Sequence, residues 1–135
     1  MCSMIWCTGS FWTSLTSVSW WVRVPSLSYN AGYTALRATA STATYIMQHY
    51  FSSGGLITLS SGSAAVTQAY AINTWYHFEL RNINWTNHTF DYYVDGALRG
   101  VALSFFDATA ASITRIDLYD SSASSTAYWD EIVFQ

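Results

Sequence analysis

Lysine is absent from this chain, so every cation is an arginine: Arg23, Arg37, Arg81, Arg99 and Arg115. Eight acidic residues outweigh these five, and the formal net charge is −3. Charged residues make up only 10% of the 135, against about a quarter in an average soluble chain. No basic footprint exists for a phosphate backbone, so nucleic acid is excluded as a partner. Cysteine occurs twice, as Cys2 and Cys7. They are read as structural thiols, either free or, in an oxidising compartment, paired across a short loop, and without neighbouring His or acidic residues they make a poor zinc site. Long apolar runs are also missing. None reaches the roughly 18 residues that a membrane-spanning helix needs. Met1 to Cys7 lacks the positive region and long apolar stretch of a secretory leader. Proline occurs once, at Pro25.

What the chain has instead is apolar and aromatic mass. Hydrophobic residues account for 51% and aromatics for 18%, including seven Trp and ten Tyr. This excludes disorder and predicts one folded domain over residues 1–135, with 1–16 as an irregular or edge-strand segment. Ser and Thr crowd 10–19 and 121–126 and supply the polarity that charge does not. A neutral surface rich in hydroxyls and rings suits two partners. One is a neutral glycan, met by ring stacking and hydroxyl hydrogen bonds. The other is neighbouring protein subunits that bury the faces, in a homo-oligomer or larger assembly where charge would be costly.

Period-2 alternation runs through the chain, and no segment carries a helical period. Val18, Trp20, Val22 and Val24 share one face of a strand, with Ser19, Trp21 and Arg23 on the other. Pro25 ends it, having no N–H for a ladder. Strands are expected near 33–40, 44–51, 56–60 and 65–71, with Gly54-Gly55 as a hairpin turn. Over 75–84, Tyr76, Phe78 and Leu80 oppose Trp75, His77, Glu79 and Arg81. A polar loop from Asn84 to Thr89 reverses the chain into 90–94, and Asp95-Gly96 marks the next hairpin. Strands near 113–119 and 127–134 close the chain. Short strands at this spacing define an all-β, two-sheet antiparallel sandwich. Trp20, Trp75, Phe78, Tyr92 and Phe134 are its expected core aromatics.

The segment Asn73-Thr74-Trp75-Tyr76-His77-Phe78-Glu79-Leu80, the Asp95-Gly96 turn and the closing Tyr128-Trp129-Asp130-Glu131-Ile132-Val133-Phe134 together resemble the laminin-G-like branch of the concanavalin A-like lectin/glucanase superfamily. The resemblance covers roughly Val18 to Gln135 and implies a jelly roll. It also implies a metal site, because an Asp at the start of the last strand often helps relatives bind calcium. Asp130 matches that position, so one structural calcium ion is the candidate cofactor, completed by backbone carbonyls. The family's first full strand is not matched by residues 1–16.

Catalysis finds little support. Retaining glycosidases need two carboxylates about 5–5.5 Å apart. The glucanase branch carries them in a Glu-x-Asp-x-Glu strand, whereas the only glutamates here are Glu79 and Glu131, on different strands. Gln48-His49-Tyr50 lacks the spacing of the lyase branch. Candidate ligand contacts are Trp85, placed at a polar hairpin tip, and Tyr93 and His49, expected on an open sheet face. Asn84-Trp85-Thr86 and Asn87-His88-Thr89 are consecutive glycosylation sequons. The resulting expectation is a non-catalytic carbohydrate-binding or adhesion module on an extracellular or virion surface. A structural subunit of a viral particle or filament is the alternative, and a glycan-active enzyme comes third.

Overall fold

The computed structural model describes residues 14–38 and 44–135. Cys2 and Cys7 therefore lie outside the described residues, as does most of the expected 1–16 segment. Ten strands are described: β1 (Val18–Arg23), β2 (Ala31–Arg37), β3 (Tyr45–Phe51), β4 (Leu56–Ser60), β5 (Val66–Ala69), β6 (Trp75–Asn84), β7 (Thr89–Val94), β8 (Ala97–Ser104), β9 (Arg115–Tyr119) and β10 (Tyr128–Phe134). They form two five-stranded antiparallel sheets, ordered β10-β1-β6-β7-β8 and β5-β4-β3-β2-β9. The expected two-sheet sandwich is thus the fold. No helix among the described residues is long and apolar enough to cross a membrane. Asp95-Gly96, both at positive φ (51° and 76°), make the expected turn, and it leads into the edge strand β8.

Alternation decides which side chains fill the space between the sheets. Val18, Trp20 and Val22 of β1, Phe78 and Leu80 of β6, and Phe90, Tyr92 and Val94 of β7 point inward and are fully or almost fully buried. They meet Leu36, Met47, Phe51, Ile57 and Leu59 from the opposite sheet. Trp20, Phe78 and Tyr92 are core aromatics as expected, and Phe134 is half-buried against that core. Trp75 is not. It is 39% exposed, because it shares the outward parity of His77 and Glu79 on β6.

Candidate glycan-binding face

The outer face of the β10-β1-β6-β7-β8 sheet carries an ordered set of rings and charges. Strand register puts Tyr128, Arg23 and Trp75 side by side on β10, β1 and β6. The Arg23 guanidinium lies 4.5 Å from the Tyr128 ring centroid and 5.4 Å from that of Trp75, a cation held between two aromatics. One row further, Asp130, Trp21 and His77 are neighbours. Trp21 stacks on His77 at 4.6 Å and 21°. The His77 backbone N–H donates to Asp95 Oδ1 at 2.8 Å, which ties the strand to the β7–β8 turn. Glu79 stands next along β6. It accepts from Arg81 Nε at 2.9 Å and lies 3.6 Å from His77 Nδ1. The Arg81 guanidinium covers Tyr93 at 4.3 Å. Its bond to Glu79 raises the Arg81 pKa further above the ordinary arginine value.

Register shifts interrupt this sheet between β1 and β10, between β6 and β7, and between β7 and β8. Between Ser19↔Val133 and Trp21↔Asp130 the register shifts, so two steps along β1 match three along β10. Glu131 takes a positive φ of 45° there, a conformation that costs a non-glycine residue energy. As a result Asp130 and Glu131, consecutive in sequence, are both exposed, where a regular strand would send one of them inward. With Trp21 and Trp75 they line a cavity of about 270 Å³. Asp130 Oδ1 accepts the Glu131 N–H at 2.8 Å, which holds the bulge. The cavity therefore joins two indole rings to two carboxylates, a combination of apolar platform and hydroxyl acceptors.

The expected site residues fall in different places. Tyr93 and Asp130 lie on this one face, Tyr93 with its ring under Arg81 and Asp130 at the cavity. His49 does not line an open groove. It is completely buried, with its ring 4.0 Å from Phe78 and edge-on to Trp20 and Phe51. The reason is parity, since His49 shares the inward side of β3 with Met47 and Phe51. Burial lowers its pKa to about 3, and neither ring nitrogen has a hydrogen-bond partner among the described residues. Trp85 is not a free ring at a hairpin tip either. It is half-buried, its Nε1–H donates to the Leu15 carbonyl at 2.9 Å, and its ring meets Phe105 edge-on. Trp21, Trp75 and Glu131 are the residues that sequence reasoning passed over. Alternation from Trp20 already turned Trp21 outward, whereas the bulge that exposes Glu131 left no sequence signal.

On the outer face of the second sheet Tyr33 is stacked between Tyr50 (5.0 Å) and Tyr119 (4.8 Å), and beside β3 a cavity of about 460 Å³ is bordered by Thr44, Tyr45, Gln48, Phe106 and Asp107, with no tryptophan and a single carboxylate. As for calcium, no group of three or more His, Cys, Asp or Glu side chains that could hold a metal exists among the described residues. Asp130 and Glu131 fit part of a calcium sphere of six to eight oxygens, not a closed cage.

The fold is a two-sheet antiparallel jelly roll. No family model and no curated protein sequence matches the chain. Solved structures do. A protein described as a sialidase matches with a TM-score of 0.72 at 16% identity, over 90% of this chain and 11% of that one. A Trypanosoma rangeli sialidase matches at 0.68 and 15% identity, again over 90% of this chain and 20% of its own length. Sheep galectin-11, solved in complex with glycerol, matches at 0.62 and 5% identity, over 98% of this chain and 96% of the galectin. The chain thus spans a small part of the sialidases and nearly the whole of the galectin. At these identities the likeness is one of fold.

Proposed function

We propose that the chain is a non-catalytic carbohydrate-binding module whose site is the cleft between Trp21 and Trp75, acting at an extracellular or virion surface. The observation that carries this reading is the pairing of two outward indoles with the bulge carboxylates Asp130 and Glu131. Axial C–H groups of a pyranose pack on an indole face, and its hydroxyls donate to carboxylate oxygens in charge-assisted hydrogen bonds. Arg23, engaged by Tyr128 and Trp75, stiffens one wall. The matches to galectins and sialidases support the reading at the level of fold. Where a calcium ion enters, it enters here, with Asp130 and Glu131 as two ligands and water or ligand hydroxyls as the rest.

The test is a neutral-glycan array probed with wild type, Trp21→Ala and Trp75→Ala. Each substitution is expected to weaken retention about tenfold or more, the scale of a well-packed aromatic anchor, with little change in melting temperature. Undiminished retention in both variants would refute the site. A second reading, as a structural subunit, rests on edge strand β8, where Leu98 is 50% and Val101 62% exposed. The Leu98→Lys/Val101→Lys double variant separates the two. It leaves glycan retention intact in the first reading and breaks up a sedimenting assembly in the second.

A further inference from the structure

A second cavity lies on the same sheet face, and the proposed function does not use it. It measures about 430 Å³ and is bordered by Thr16, Ser17, Ser19, Glu79, Arg81, Asn82 and Gln135 among the described residues. Its construction repeats that of the first. Between Arg81↔Asp91 and Asn84↔Thr89 the register shifts again, three steps along β6 against two along β7. Asn82 sits in this bulge at a positive φ of 52°, its Nδ2 donating to Asp91 Oδ2 at 2.7 Å. Arg81 and Asn82, consecutive in sequence, are therefore both exposed, as Asp130 and Glu131 are at the β10 bulge. Bulges with strained non-glycine residues gather where a side chain must be re-aimed. Here one borders each cavity.

The chemistry of the second cavity is that of a polyol site. Apart from Val18, its walls are hydroxyls, amides and one ion pair, Arg81 Nη2 standing 2.7 Å from Glu79 Oε2. A charged ligand would find no unpaired counter-ion in that pair, whereas an uncharged polyhydroxy compound finds donors and acceptors of both kinds. The stack of Trp21 on His77, with Glu79 beside His77, makes a continuous surface from one cavity to the other. From Trp75 to Arg81 is six residues of β6, roughly 20 Å at the strand rise, more than one monosaccharide spans.

From this, and resting on the reading of the Trp21–Trp75 cleft as a glycan site, we infer that the second cavity is a further sugar subsite, and that the ligand is an uncharged oligosaccharide chain lying along β6 across both. The experiment is calorimetric titration of the wild-type chain with neutral cello-, manno- and galacto-oligosaccharides of one to six units, repeated with Trp21→Ala and with the double variant Arg81→Ala/Gln135→Ala. In whichever series binds, affinity should rise by about tenfold or more from one unit to four. The double variant should lose that gain while binding the shortest ligand as wild type does, and thermal melting checks that it is folded. Binding that Trp21→Ala weakens but that does not grow with chain length overturns the subsite and leaves the cleft reading in place. A length gain that survives Arg81→Ala/Gln135→Ala overturns it as well. Failure of all three series to bind overturns the cleft reading together with this inference.

Discussion

At the scale of single residues, His49 carries the sharpest consequence. A neutral imidazole buried among Trp20, Phe51 and Phe78 has no hydrogen-bond partner among the described residues to stabilise a proton, and burial drops its folded pKa to about 3. The unfolded chain titrates near the ordinary value of about 6.5. Between these two values the unfolded state binds a proton that the folded state refuses. Stability is therefore fully present above about pH 6.5 and drains away as pH falls towards 3, by up to roughly 5 kcal/mol. His49→Leu should flatten this part of the profile and also raise stability at neutral pH, since two unsatisfied buried nitrogens disappear. Urea midpoints measured from pH 8 to pH 4 check both effects. Parallel profiles for wild type and variant would mean that His49 is protonated or solvated in the folded chain.

At the scale of elements, the β6–β7 hairpin is tied to the chain ahead of β1 through Trp85. The indole N–H bonds the Leu15 carbonyl across seventy residues of sequence, and the Ile83 N–H reaches the Thr16 carbonyl beside it. Trp85→Ala should lower stability by roughly 2–3 kcal/mol, from lost ring burial and an orphaned carbonyl, read as a lower denaturant midpoint. An unchanged midpoint would return Trp85 to the surface. The strands themselves were legible because alternation is local: Val18 to Val24 and Tyr76 to Leu80 write their faces into the sequence. Trp75 has the bulk of a core residue, but the parity it shares with His77 turns it outward, and His49 follows the inward parity of Met47 and Phe51. Trp85 and the bulges at Glu131 and Asn82 were illegible for another reason. A contact between Leu15 and Trp85, or an extra residue of β10 opposite β1, belongs to a pair of strands, and no single segment records it. Since both cavities are made at those bulges, the fold could be read in the sequence while most of the site could not.

At the scale of the whole molecule, the shortage of charge becomes a statement about how the ligand is held. The net charge is only −3, and most charges on the proposed binding face already have local partners: Arg23 between Tyr128 and Trp75, Arg81 with Glu79, Asp95 with the His77 backbone. Asp130 Oδ2 and the Glu131 carboxylate are left to meet ligand hydroxyls, and these bonds form at contact distance in a shallow cleft. Long-range attraction contributes little to such an interface, because charges further apart than about 8 Å are screened at physiological ionic strength. Retention on a neutral glycan surface should thus stay within about twofold between 50 mM and 500 mM sodium chloride. A partner held by ion pairs would behave otherwise, its affinity falling steeply with salt. Surface plasmon resonance on an immobilised neutral oligosaccharide, run across that range, makes the comparison. A loss of tenfold or more would show that charge carries the interaction, and would point away from Trp21 and Trp75 towards the arginines as the residues that hold the ligand.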